Sequence, residues 1–253
     1  MTDKIVTACV VTIGDEILSG RTKDANLSYI ARHLNEIGVQ VREARVICDV
    51  EEVIVATINE VRATYDYVFT TGGIGPTHDD ITADSVAKAF GVEIGPHPEA
   101  VAVLEKHYEV TGQEFTTARQ RMARIPHGGI LIDNPISRAP GFQMENVFVM
   151  AGVPKIMQVM LDSLTDRLDG GAKMLSRTLT ASIGEGAIAK PLAALQEAFE
   201  TVSLGSYPYF KDKAYGTSIV MRSIDSARLD EAAQAVRALM VELGADPVEG
   251  ELR

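Results

Sequence analysis

The densest chemistry in this sequence lies at Thr71-Gly72-Gly73-Ile74-Gly75-Pro76-Thr77-His78-Asp79-Asp80-Ile81-Thr82. Glycines at such spacing let a backbone approach a ligand and turn its N–H groups inward. The N-terminus of a following helix favours an anion. Two adjacent carboxylates, Asp79 and Asp80, oppose an anion on their own. They make sense with a divalent cation between carboxylate and phosphate, where Mg²⁺ commonly sits. Thr77 and Thr82 are candidate donors to phosphate oxygens, and Thr82 is equally a candidate helix cap. The plain alternative is a tight turn with both acids at a helix start. The stretch is neither a G-x-G-x-x-G dinucleotide fingerprint nor a phosphate-binding loop ending in Gly-Lys-Ser/Thr.

Other candidates surround this loop. Gly14, Asp15 and Glu16 leave an apolar run as the glycine loop does, and so are candidate ligand groups. Asp24 and Asn26 precede a helical pattern, and a cap explains one of them. Asp49 ends a strand pattern, where capping and a site role are equally good. Asn134–Phe142, with Gly141, and Ala151-Gly152-Val153-Pro154 are loops by composition. Arg138 and Lys155 within them are candidates to meet phosphate, though solvated charge is the commoner fate. His78 reads first as a turn histidine, and His33 with Glu36 as a solvent face. Arg119, Arg121 and Arg124 read as one helix face bearing salt bridges or a subunit contact. H-E-x-x-H, C-x-x-C and G-x-S-x-G are absent, which argues against zincins, thiol redox motifs and α/β-hydrolases.

The elements that must position these residues follow from periodicity. Ile5–Thr12 reads as a strand buried on both faces. Leu27, Ile30, Ala31, Leu34 and Ile37 recur at helical spacing, with Gly38 as a stop. Strands are expected at 39–47, 67–71 and 147–151, and helices at 50–64, 83–90, 98–108 and 154–168. Such alternation implies a mainly parallel sheet covered on both faces, a three-layer α/β/α domain over residues 1–170. Asp169–Lys173 is the linker candidate. Beyond it, strands at 176–183 and 216–223 and helices at 188–199 and 229–243 make a small α+β domain over 174–253.

The chain has 253 residues, with 24 basic and 35 acidic side chains and a net charge of −11. Residues 1–173 carry 16 basic and 24 acidic groups, and residues 174–253 carry 8 and 11. This balance argues against sequence-independent nucleic-acid binding. Cys9 and Cys48 form no disulfide framework or metal spacing, and Cys9 reads as a buried free thiol. The apolar start is too short for a signal sequence, and no run approaches the ~20 residues of a membrane span. A cytoplasmic protein with no membrane partner is expected.

Together and in order, TGGIGPTHDDIT, GDEIL at 14–18, Asp24–Asn26, NPISRAPGF at 134–142 and AGVP at 151–154 resemble the molybdopterin-binding fold of MogA and MoaB. The resemblance is closer to the branch containing the amino-terminal region of competence/damage-inducible protein A (CinA). The same fold forms the amino-terminal domain of eukaryotic FAD synthases. Residues 176–253, with IGEGAIA and GSYPYF, resemble the CinA middle domain. That domain is sometimes called KH-like, but the GxxG clamp such a function needs is missing. The CinA carboxy-terminal domain deamidates nicotinamide mononucleotide. No counterpart is recognised here, and that activity is not carried over.

The resemblance implies a ligand cleft over the carboxyl edge of the sheet and a homo-oligomer. In the molybdopterin branch two acids carry metal-dependent adenylyl transfer. Asp49 and Asp80 match them by position, with Asp79 and Asp80 as the metal candidates. Gly14, Asp15, Glu16, Asn26, Gly72, Gly73, Gly75, Pro76, Thr77, Thr82, Gly141, Gly152 and Pro154 would line the ligand site. Ala25, Ser137 and Ala151 depart from the branch's usual Thr, Gly and Pro, which bears on substrate choice. Three functions follow. One is a pyrophosphatase dependent on Mg²⁺, Mn²⁺ or Co²⁺, acting on ADP-ribose or a related dinucleotide such as FAD. The second is a molybdopterin- or pterin-binding protein without hydrolysis. The third is a non-enzymatic regulator or scaffold.

Overall fold

The computed structural model describes residues 4–211 and 214–250. The chain divides into two compact units, with the change between Gly171 and Ala172, inside the Asp169–Lys173 stretch.

The larger unit begins with β1 (Val6–Ile13), the short helix α1 (Asp15–Leu18), α2 (Asn26–Glu36) and β2 (Val39–Ile47). α3 (Glu51–Thr64), β3 (Tyr67–Thr71), α4 (Thr82–Phe90), β4 (Ile94–Pro96) and α5 (Pro98–Thr111) follow. Then come α6 (Thr117–Gln120), β5 (Arg124–Pro126), β6 (Ile130–Ile132), β7 (Gly141–Met144), β8 (Val147–Met150) and α7 (Pro154–Leu164). The main sheet runs β2-β1-β3-β8-β7-β6. The first four are parallel, while β7 and β6 are antiparallel additions. Composition marks Asn134–Phe142 as loop and gives no signal for β6, because strands of three and four residues carry too little alternation to register.

Alternation along β1 divides the core. Val6, Ala8 and Val10 pack with Ile30 and Leu34 of α2 and Met157 and Leu161 of α7. Cys9, Val11 and Ile13 pack with Ile54 and Ile58 of α3, Val86 of α4 and Leu104 of α5. The chain leaves β1 toward one face and β3 toward the other. The crevice between two such neighbouring strands, at their carboxyl ends, is where open α/β sheets take ligands. Cys9 is buried and free, and burial raises its thiol to about 11. It behaves as a small core hydrophobe.

The smaller unit is β9 (Leu175–Ala181), α8 (Glu185–Ala198), β10 (Ser203–Lys211), β11 (Ala214–Ser223), α9 (Ser226–Glu242) and β12 (Val248–Glu249). Its antiparallel sheet runs β10-β11-β9-β12. Ile188 and Leu192 of α8 and Leu229, Val236 and Met240 of α9 pack on Leu179, Ile219 and Met221. Asp225 starts α9 by accepting from the N–H groups of Ala227 and Arg228. Sequence analysis does not identify β10. Gly205 and Pro208 break its pattern, and an edge strand tolerates both. Among the described residues no helix is long and apolar enough to cross a membrane.

Candidate functional site

Four loops meet at the carboxyl edge of the parallel strands: Gly14–Glu16 after β1, Cys48–Val50 after β2, Gly72–Ile81 after β3 and Ala151–Val153 after β8. Gly72 and Gly73 have φ of 104° and 69°, where glycine is favoured. A Cβ on Gly72 would strike the Ile13 carbonyl oxygen, and one on Gly73 the Thr82 hydroxyl. The loop therefore lies against the end of β1 on one side and the first turn of α4 on the other. Thr82 N–H donates to the Gly73 carbonyl (3.0 Å) and closes it.

A cleft of about 510 Å³ opens over this loop, within the usual range for a small-molecule site. Glu16, Gly72, Gly73, Gly75, Pro76, Asp80, Gly152 and Pro154 of the expected set line it. Thr22, Ile74, Met122, Asn134, Ser137, Ala139, Ala151, Val153 and Ile156 complete it. Asn134, Ser137 and Ala139 belong to a stretch that composition marks as loop. Buried Asn134 organises that loop by donating to Ser137 Oγ (2.6 Å) and the Ala139 carbonyl (2.8 Å). Thr22 and Met122 carry no signal in the sequence.

The other expected residues take different places. Asp49 does not cap α3: its carboxylate accepts from the Asp15 N–H (2.9 Å). Burial raises its carboxyl above the usual aspartate value. The Asp15 N–H opposes the rise, and the charges of Asp15, Glu16 and Asp79 add to it. Four acids thus share one corner of the edge. Asp80 stands apart from that corner. Its carboxylate accepts from the Thr77 N–H (2.8 Å) and the Thr77 hydroxyl (2.5 Å), which staples the loop shut. Exposed Asp79 is held below its ordinary value, first by the Thr77 side chain and then by its own backbone N–H. The single Thr77 hydroxyl proton serves one carboxylate at a time, and the bond geometry places it on Asp80.

Asp24, not Asn26, starts α2, accepting from the Asn26 N–H (2.7 Å). Asn26 is 5% exposed and donates from Nδ2 to the Gly152 carbonyl (2.8 Å), tying α2 to the loop after β8. Its Oδ1 is buried without a partner, as are the hydroxyls of Thr71 and Thr82 beside the two glycines. Gly14 is buried and donates to the Ile47 carbonyl (3.1 Å). Gly141 lies in β7, where a Cβ would meet the Val149 carbonyl, so its role there is strand packing and it does not line the cleft.

The three arginines do not share a helix face, because the helix stops at Gln120 and Arg124 already lies in β5. Arg124 pairs with Asp84 through two bonds (3.0 and 2.6 Å), and Arg119 lies over the Tyr108 ring. Arg121 donates to the Asp80 carbonyl (3.4 Å) and lines a cavity of about 20 Å³ behind the glycine loop. Arg138 faces a separate hollow with His107 and Lys106, and Lys155 is exposed outside the cleft lining. His33 is not a free solvent-face residue: its Nε2 bonds Thr165 Oγ1 (2.8 Å).

Among the described residues no three His, Cys, Asp or Glu side chains are arranged to hold a metal. Asp79 and Asp80 therefore form no closed metal site. The donor set fits a Mg²⁺-type ion, which takes one or two carboxylates and completes its shell with water and substrate phosphates. The mutual repulsion at Asp49 is what such a cation would relieve.

These features define an open α/β domain with a glycine loop and an acid corner at its topological switch point. The chain belongs to the family described as probable molybdopterin binding domain, whose model matches residues 9–170. A second model, for the middle domain of FAD synthase, matches residues 173–248. Over the small unit the match is thus to FAD synthase, where the resemblance points to CinA. A CinA-like protein of Citrifermentans bemidjiense is 38% identical over 192 residues, covering 72% of this chain and 46% of that protein. A probable FAD synthase of Caenorhabditis elegans is 30% identical over 258 residues, covering 92% of this chain and 50% of that protein. The chain spans about half the length of these two curated relatives. The crystal structure of the protein CinA, with unknown function, from Thermoplasma acidophilum superposes with a TM-score of 0.59 at 35% identity. It covers 64% of this chain and 96% of that one.

Proposed function

We propose that the protein hydrolyses a pyrophosphate-linked nucleotide, FAD or ADP-ribose, to AMP and the second monophosphate. The acid corner beside the glycine cleft carries this reading: a partly buried carboxylate with a raised pKa, held by a backbone N–H, next to a glycine loop that lines the cleft. A carboxylate raised in this way is a stronger base than an ordinary aspartate, which suits general-base work. Asp49 takes a proton from the attacking water. The water oxygen forms a bond to one phosphorus, the bridging P–O bond breaks, and the bridging oxygen leaves with the other phosphate. The Gly72 N–H donates to the Met150 carbonyl (3.1 Å), so the amides of Gly73, Ile74 and Gly75 are the ones that stabilise the charge developing on the phosphoryl oxygens. Asp80 holds those amides in place through Thr77. Glu16 or Asp79, beside the base, would hold a Mg²⁺, Mn²⁺ or Co²⁺ ion, which would supply charge neutralisation at the phosphates.

FAD is favoured among substrates because the likeness to a probable FAD synthase runs through both units of the chain. The test is to incubate metal-stripped protein with FAD, ADP-ribose, NADH and ATP, with and without each metal, and to follow AMP by chromatography. Metal-dependent AMP from FAD or ADP-ribose supports the reading, and no AMP from any of them removes it. Pterin binding without hydrolysis is the second reading, favoured by the family match over residues 9–170. It predicts saturable binding of molybdopterin with no turnover of any nucleotide. A homo-oligomer belongs to the same proposal, and light scattering that finds only a monomer contradicts it.

A further inference from the structure

The small unit carries a second surface, unrelated to the cleft. Both of its helices pack on one face of the sheet. The opposite face is formed by the alternate residues Thr178, Tyr207, Tyr209, Ser218, Val220 and Arg222, around a hollow of about 380 Å³. The two tyrosines lie flat on this face. The Tyr207 ring rests over Gly205, where an added Cβ would come within 2.8 Å of its Cε2. The Tyr209 ring crosses to Gly216 on β11, where an added Cβ would strike its hydroxyl. Glycine at both positions is what lets the rings lie down, and Tyr207 remains 50% exposed.

Two further observations point to a ligand of one kind. The Tyr209 hydroxyl is buried with no hydrogen-bond partner among the described residues, a condition that native proteins rarely tolerate without cause. Arg222 is exposed and forms no ion pair among the described residues, and no acid lines the hollow. In a segment with 8 basic and 11 acidic groups, this is a local positive spot beside a stacking surface.

We propose that this face binds a mononucleotide, its planar ring stacked on Tyr207 and its phosphate met by Arg222. Aromatic side chains on an open four-stranded sheet are an established way to hold such rings. One arginine suits one phosphate. A nucleic-acid strand calls for several cations along its backbone, which this acidic unit lacks. The proposal does not rest on the hydrolytic reading of the cleft.

The test is a titration of the full chain with FMN in EDTA, following quenching of flavin fluorescence. It is run on the wild type and on Tyr207→Ala, Arg222→Ala and Lys190→Ala, with folding checked by circular dichroism. Saturable binding is expected, weakened about tenfold by Tyr207→Ala and by Arg222→Ala and unaltered by Lys190→Ala, an exposed basic residue of α8. Absence of saturable quenching in the wild type overturns the proposal. So does wild-type affinity in both Tyr207→Ala and Arg222→Ala. Tighter binding of an oligouridylate through the same two residues would replace the mononucleotide by a single strand.

Discussion

The cleft of the large unit and the open sheet face of the small unit are built on opposite plans. In the cleft the backbone meets the ligand: glycines present amides, and the acids stand at one corner. On the sheet face the side chains meet it: two rings lie over glycines, and one arginine stands free of acids. Glycine serves both, for different reasons. At Gly72 it keeps a loop from colliding with the fixed end of β1. At Gly205 it makes room for a side chain that is free to move. The glycine loop of the cleft should therefore fail through the fold when altered, and the sheet face through binding alone.

Gly72→Ala breaks that contrast most sharply if it is wrong. Its Cβ must displace the Ile13 carbonyl from a backbone at φ 104°. A loss of about 2–4 kcal/mol is expected from left-handed strain and overpacking together, read as a lowered denaturation midpoint. Asp49→Asn follows, with the fold intact and AMP release slower by at least about a hundredfold.

The pH dependence of stability sharpens the same point. Asp49 is raised in the folded state, so the folded chain binds its proton more tightly than the unfolded chain. Its contribution is fully present below the ordinary aspartate value of about 4 and is lost as pH rises through the raised one. Asn at position 49 removes that loss. Denaturation curves of wild type and variant should coincide at low pH and separate in the variant's favour across that window. A constant difference at every pH contradicts the assignment. Gly205→Ala is the smallest change. The Tyr207 ring can swing away, so stability should fall by less than about 1 kcal/mol while FMN affinity falls. A large loss of stability would mean that the ring is fixed.

Much of the large unit is legible in the sequence, because buried parallel strands and amphipathic helices leave long periodic signals. Tyr67–Thr71 and Val39–Ile47 fall on strands with the bounds that periodicity suggests. The antiparallel additions β6 and β7 escape, since three or four residues hold no period. The glycine loop and its acids are legible as a group, but their division of labour is not. Asp79 and Asp80 are neighbours in sequence, yet Asp80 is bound to Thr77 while Asp79 joins the field at Asp49. Asp49 and Asp15 lie 34 residues apart and meet only because β1 and β2 are adjacent. The sheet face is invisible beforehand, because Tyr209 reaches Gly216 only across the β10–β11 pairing.

The central claim is that the acid corner beside the glycine loop performs pyrophosphate hydrolysis. Its most direct test compares AMP release from FAD by wild type and Asp49→Asn at matched fold and metal. The account predicts metal-dependent AMP and FMN in equal amounts from the wild type and near-background release from the variant. Equal rates from the two proteins would contradict it.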